Sequence, residues 1–359
     1  MNKHNRFILP FLLGAAFFFA SCKKEYYTEA DFASVKKIDT HTHLNGENTG
    51  ISEQAKADNF TILAVNVDVP GYPPLDEQRR FALHQIKSVP GTVSFLTAFT
   101  LQGWDSAWTA RTIPWLKESF DQGALGIKLW KNIGMTYKDS TGRFIMVDDP
   151  KFDSVVQYII DQDKTIMGHL GEPKNCWLPI EQMTVNNDRH YFKEHPEYHM
   201  FLHPEYPSYE DQINARDHFI EKHPDMRFVG AHLGSLEWSV DELAKRLDKF
   251  PNMAVDMAER ISHLQHQSLA DYDKIRNFFI RYQDRLIYAT DSEIKDSYNS
   301  DDVRKQVHET WKADWKYFVT DDKMTSENVN GEFKGLKLPR TVVDKIYRAN
   351  AMRWFKMPG

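Results

Sequence analysis

Short apolar runs rich in β-formers alternate with amphipathic stretches along nearly the whole chain. The runs that predict strands are Val35–Asp39, Thr61–Val67, Val93–Phe99, Leu125–Leu129, Thr165–Gly168, Arg227–Ala231, Ala254–Asp256 and Leu286–Thr290. Between them, apolar positions at helical spacing predict helices over Leu75–Ser88, Ala107–Asp121, Lys151–Gln162, Tyr209–Lys222, Val240–Phe250, Tyr272–Tyr282 and Arg340–Phe355. The first connection, around Ser52–Asp58, is too short and polar to read as a helix. Eight strands alternating with helices predict a parallel sheet covered by helices, and near-continuous apolar strands fit burial on both faces. The expected fold is therefore α/β, an eight-stranded (β/α)8 TIM barrel. A doubly wound open sheet competes, but no glycine-rich phosphate loop follows the first strand.

Two connections exceed ordinary loop length. One runs from Gly171 to about Ser208 and holds Trp177, Tyr191, Phe192, Tyr198 and Phe201; the other runs from Ser292 to about Leu338 and holds Trp311, Trp315, Tyr317 and Phe318. They follow the fifth and eighth strands, so in a barrel both rise from the C-terminal face, and both are expected to cover a substrate.

The N-terminus reads as a processing signal. Lys3 and Arg6 precede an apolar run, Phe7 to Ala20, of about 14 residues, short of the ~20 that span a bilayer. It ends Ala20-Ser21-Cys22-Lys23-Lys24, which resembles a bacterial lipobox with Cys22 as the lipidated first residue; an ordinary cleaved signal is the alternative. Residues 1–21 are thus expected as a lipoprotein signal peptide, 22–34 as a tether and 35–359 as the barrel. The protein is expected to be exported and anchored to a bacterial membrane through Cys22. Cys22 and Cys176 are the two cysteines, so an acylated Cys22 leaves Cys176 without an intrachain partner, as a loop thiol. The net charge of −6, with no basic stripe, argues against a nucleic-acid partner. An oligomer is compatible with the sequence.

The first strand continues Ile38-Asp39-Thr40-His41-Thr42-His43, and strand alternation puts Asp39, His41 and His43 on one face. Two imidazoles at that spacing can meet one metal ion, with the Asp39 carboxylate one step deeper to anchor a ring nitrogen. The fourth strand carries Lys128, and the fifth, sixth and eighth end in His169, His232 and Asp291. In a barrel these positions converge on one mouth, and imidazole with carboxylate suits zinc, iron or manganese. Asp256 and Arg260 flank the end of the seventh strand and could bind a substrate carboxylate or hydroxyl, although Arg260 could equally begin a helix and face solvent. Glu172 follows His169 closely and could reach the mouth, with a rim carboxylate the preferred reading. His195, His199 and His203 are read as structural or lid residues because Pro196 and Pro204 interrupt their helical spacing.

This set, with the segments GIKLW, FVGAHLGS, PNMAVDMAERI, YQDRLIYATDSE and VDKIYRANAMRWF, resembles the amidohydrolase superfamily, in its amidohydrolase-related branch of hydrolases and decarboxylases. The resemblance implies His41, His43, His169 and Asp291 as ligands of the main metal. It implies Asp291 also as proton acceptor, and His232 as the group that polarises substrate, transfers protons or holds a second ion. In two-metal relatives the strand-4 lysine is carboxylated and bridges both ions; in one-metal relatives it stays a cation, so Lys128 remains open. The expected cofactor is a divalent metal, zinc ahead of manganese or iron, with one ion preferred to two. The expected function is hydrolysis of a small carbonyl compound (lactone, amide or ester) by metal-activated water. Non-oxidative decarboxylation of an aromatic or muconate-like acid is the alternative on the same site. A catalytically inactive ligand-binding lipoprotein is the third reading.

Overall fold

The structure, a computed structural model, describes residues 25–357; the expected signal peptide and Cys22 lie outside the described residues. Nine parallel strands form two curved sheets. Strands β1 (Lys37–Asn45), β2 (Phe60–Val65), β3 (Val93–Leu96) and a later strand, Ser292–Lys295, make one in the order β3-β2-β1-(292–295). Strands β4 (Gly126–Leu129), β5 (Thr165–Gly168), β6 (Arg227–Gly230), β7 (Met253–Asp256) and β8 (Leu286–Ile287) make the other, in sequence order. Backbone hydrogen bonds cross both seams. Leu125 N–H donates to Phe95 O and Lys128 N–H to Thr97 O, while Thr40 N–H donates to Tyr288 O and Asp291 N–H to His41 O. The ring so closed is the expected (β/α)8 barrel, with β9 (Ser292–Lys295) continuing the path of β8 along β1.

Two apolar layers hold it. Ile38, Leu63, Leu96, Met167, Val229, Ala254 and Ile287 point inward, one from each of seven strands, and Trp354 and Phe355 pack against them. The larger cluster lies between the strands and the outer helices. Close strand approach explains Gly126: a Cβ there would sit 2.2 Å from Thr165 O on β5.

Several elements depart from expectation. Gly50–Ala57 is a helix, since Ile51 and Ala55, four apart, are both fully buried and Ser52 Oγ donates to Gln85 Oε1. β1 runs to Asn45, so both histidines lie within the strand rather than at its end. β8 stops at Ile287 because Tyr288 N–H turns away to Ile346 O, which belongs to a wide π turn, Lys345–Ala349, interrupting the last helix. A helix over Ile261–Ala270 was not expected.

Apart from Glu293 on β9, the long connection after β8 stays out of the cavity wall. It contains β9, the helix Ser300–Val319 and a hairpin of β10 (Lys323–Ser326) and β11 (Val329–Lys334). Trp311, Trp315, Tyr317 and Phe318 are fully buried, because that helix is the eighth outer helix of the barrel and turns its aromatic stripe inward. The connection after β5 does contribute cavity residues from its helix, Asn186–Glu194.

Residues 25–34, expected as a tether, are docked on the barrel in their described part. Tyr27 and Phe32 are buried, Trp315 Nε1 donates to Thr28 O, and Arg340 N–H donates to Glu25 O. Beneath this arm the buried Lys37 ammonium donates to the carbonyls of Phe32, Val35 and Asp58 and lies 4.5 Å from the Phe32 ring centroid. Lys37→Met leaves three carbonyls short of their donor, and we expect a loss of about 2–4 kcal/mol in urea unfolding. A loss within about 0.5 kcal/mol, the range of ordinary surface substitutions, would show that the arm does not depend on this contact.

Candidate metal centre

The β1 alternation delivers His41 and His43 to the C-terminal mouth, and each ring is fixed from behind. His41 Nδ1 lies 3.0 Å from Asp256 Oδ2, and His43 Nδ1 lies 2.9 Å from Val65 O. Both acceptors require a proton on Nδ1, so each Nε2 presents a lone pair to the mouth. These two atoms meet one oxygen: Asp291 Oδ1 is 3.2 Å from His41 Nε2 and 3.0 Å from His43 Nε2. Among the described residues, His41, His43 and Asp291 form a group whose ligand atoms lie within 4.8 Å of one another. Asp291 reaches this point from a left-handed backbone, φ 71°, with its N–H bonded to His41 O.

His232 also sits at positive φ, 58°. Its N–H donates to Asp256 Oδ1 (2.7 Å) and its Nδ1 to Ala258 O (3.0 Å), which turns Nε2 to within 3.9 Å of Asp291 Oδ2. His169 lines the same cavity but stands outside the tight group, with its Nε2 3.4 Å from Glu172 Oε2 and its ring centroid 4.2 Å from that of His232. Lys128 Nζ is buried 3.0 Å from His41 Nε2.

The electrostatics favour neutral bases around one carboxylate. Burial raises Asp291, but His41, His43 and His232 outweigh it and hold the carboxyl well below its usual range. Burial, with neighbouring cations, holds His169 and His232 well below the ordinary imidazole value. Burial also lowers Lys128 to about 8.

Two observations test whether a cation fits. His169 Nε2 and Asp291 Oδ1 are buried without a hydrogen-bond partner, the condition expected of atoms that would hold an ion. The cavity wall carries Lys128, Lys131 and Arg260 against Glu172, Asp188, Asp291 and Glu293, with Glu259 as a fifth acid that burial pushes up to about 7, so acids outnumber cations there. A divalent ion would offset that excess, and His41, His43 and Asp291 could hold it.

Two expected roles change. Asp39 does not anchor a metal-side imidazole: it accepts from Thr290 Oγ1 (2.6 Å), Trp311 Nε1 (2.9 Å) and the N–H groups of His41 and Thr290. The anchor is Asp256, fully buried and absent from the cavity wall, where it accepts from His41, His232 N–H and Ala258 N–H instead of meeting substrate. Arg260 is buried and lines the cavity rather than facing solvent, although it does cap the helix Ile261–Ala270. Glu172 is likewise a buried wall residue, paired with Lys131. His199 and His203 contact the carbonyls of Leu178 and Pro196, and His195 contacts Glu197. Cys176 is a buried thiol donating to Tyr198 O, and burial pushes its pKa up.

The cavity, of about 530 Å³, takes Tyr191, Phe192 and Tyr198 from the connection expected to cover a substrate, and also Tyr72, Trp130, Lys131 and Glu259, which were not singled out in the sequence. Lys131 and Glu259 follow β4 and β7 closely, so reading every strand-to-helix loop as part of the mouth would have found them.

An amidohydrolase family model matches residues 98–357, a span that contains Lys128, His169, His232, Asp256, Arg260 and Asp291 but not His41 or His43. Among solved structures, the chain is similar to 2,6-dihydroxybenzoate decarboxylase from Rhizobium (14% identity, 90% of this chain and 99% of that one, TM-score 0.49). It is also similar to 5-carboxyvanillate decarboxylase from Novosphingobium aromaticivorans (13%, 91% and 99%, 0.47) and to an amidohydrolase from Bifidobacterium longum subsp. infantis (10%, 90% and 100%, 0.46). No curated protein matches the sequence. The family match spans most of the chain, from just past β3 through β8 with the strands and loops that carry Lys128, His169, His232 and Asp291, and the chain belongs to the amidohydrolase family.

Proposed function

We propose that the protein is a metal-dependent hydrolase acting with water on a small carbonyl compound, a lactone, amide or ester. The observation that carries this reading is the convergence of His41 Nε2 and His43 Nε2 on Asp291 Oδ1, with His232 Nε2 3.9 Å from the other oxygen. His169 completes the proposed ligand set. A divalent ion there, zinc by its imidazole and carboxylate donors, would supply Lewis acidity and lower the pKa of its water towards ~7. Asp291, held as a carboxylate, is placed to accept a proton at Oδ2, and neutral His232 is placed to receive or return one at Nε2. Trp130, Tyr191, Phe192 and Tyr198 wall the cavity and limit water around the reacting carbon.

A second reading, non-oxidative decarboxylation of an aromatic acid, draws support from those aromatic walls together with Lys131 and Arg260. Trapping evolved CO2 against titrating acid release, on matched lactones, amides and aromatic acids, separates the two. We also propose export, with Cys22 acylated at the membrane. Mass spectrometry of membrane fractions should find a chain that begins at a lipidated Cys22, and an unmodified chain beginning elsewhere would reject the anchor.

Purified protein should carry about one divalent ion per chain, and His41→Ala should lose the ion and at least ~10³-fold in kcat/KM. Full activity in metal-free protein would sink the proposal. Asp256→Asn removes the acceptor that fixes the His41 tautomer, and chelator competition should show metal affinity weakened by about 10–100-fold. Unchanged affinity would mean that Asp256 does not orient the ligand.

A further inference from the structure

Three consecutive residues at the start of the helix Asn186–Glu194 are pinned to two other segments, Asn186 to a hairpin and Asn187 and Asp188 to the start of the helix after β7. Asn186 N–H donates to Asn328 O (3.0 Å), and its Nδ2 donates to Glu327 O (2.7 Å) and Asn330 Oδ1 (3.0 Å), at the tip of the β10–β11 hairpin. Asn187 Oδ1 accepts from Ser262 Oγ (3.3 Å) on the helix that follows β7. Asp188 is the most deeply engaged. Its Oδ2 accepts from Asn175 Nδ2 (2.8 Å) and lies 3.1 Å from His263 Nε2, while Oδ1 lies 3.6 Å from Arg260 Nη1.

Asn187, Asp188, Tyr191 and Phe192 form one wall of the cavity, and Arg260 lies in the wall beside them. Arg260 is buried, its Nη1 donates to Glu259 O, and its Nε has no hydrogen-bond partner. Glu237, nearby and fully buried, has an unpartnered Oε2 and attracts the same guanidinium. Arg260 therefore sits in the field of four carboxylates, Asp188, Glu237, Glu259 and Glu172, and among the described residues Asp188 is the one within ion-pair reach, at 3.6 Å. An arginine side chain is long and rotamer-rich, so the partner that fixes it decides whether its free N–H meets a ligand.

We propose that Asp188 is a positioning residue that aims the Arg260 guanidinium into the cavity, so that recognition of a substrate carboxylate depends on this helix being seated. The helix and the hairpin that clasps Asn186 then belong to the substrate site, although the hairpin lies outside the cavity wall. The proposal rests on the reading of this cavity as the substrate site. Metal content and turnover test that reading, whereas hydrogen exchange over residues 186–194 tests the seating independently.

The test uses the metal-loaded protein with benzoate, a flat monocarboxylate, as the probe in isothermal titration. Asp188→Asn keeps shape and the Asn175 contact but removes charge. It should weaken benzoate binding about tenfold and speed exchange at 186–194 about tenfold, with metal content unchanged. Asp188→Glu should restore benzoate affinity to within about threefold of the original, a rescue that a merely structural role would not produce. Asn186→Ala, distant from the reacting atoms, should speed the same exchange and weaken benzoate about threefold. Original benzoate affinity in Asp188→Asn, or no benzoate binding by the unaltered protein, overturns the proposal. Should Asp188→Asn not fold, unchanged exchange and affinity in Asn186→Ala overturn it as well.

Discussion

The Asp256 carboxylate is sealed beneath the barrel mouth, where it accepts from His41 Nδ1, His232 N–H and Ala258 N–H. An ionised carboxylate out of water costs several kcal/mol unless its oxygens are met by donors. Here the donors come from three separate places, so the charge is stable only when β1, the turn after β6 and the turn after β7 are all in register. Burial raises Asp256, yet His41 and its other neighbours win and its pKa is lowered. The geometry of the candidate ligands is thus tied to the solvation of one buried anion.

A second buried carboxylate, Asp39, works at the seam between β8 and β1. It binds Thr290 through both N–H and hydroxyl, and it receives the Trp311 indole from the outer helix. Thr290 precedes Asp291, so Asp39 sets the backbone from which Asp291 turns into the mouth. The two carboxylates divide the work: Asp256 orients His41 and His232, and Asp39 holds the strand junction that carries Asp291. Trp311, expected near a substrate, instead reaches the mouth only through Asp39.

The parts of the site on barrel strands were legible because strand period and strand order together fix where a side chain points. His41 and His43 share a face by alternation, and Lys128, His169, His232 and Asp291 fall at or beyond strand ends once eight strands are counted. Asp39 and Asp256 were visible as residues but not in their partners, since the register of β1 against β2 shifts between Asp39 and Thr42, and Asp39 turns to Trp311 on the outer helix while His41 turns to Asp256. The remaining wall was legible only in outline. The connection after β5 was expected to cover a substrate, and its Tyr191, Phe192 and Tyr198 do line the cavity. Tyr72 and Asp188 were not foreseen, since they come from connections without strong periodicity and their approach depends on contacts, such as Asn186 with the hairpin, that sequence spacing does not encode. The helix Ile261–Ala270 escaped for a related reason: its polar composition, with two histidines and four other polar side chains, masks a face buried at Ile261 and Leu264.

His232, Asp291 and Glu259 all occupy left-handed backbone conformations that non-glycine residues avoid. Each costs on the order of 1–2 kcal/mol, and the surrounding hydrogen bonds must over-determine it. Glycine at these places would relax the backbone while erasing the side chain that the conformation exists to present. The barrel mouth is therefore a place where stability and function pull in opposite directions. Variants selected only for thermal resistance would be drawn to these three positions and would lose the mouth's chemistry first.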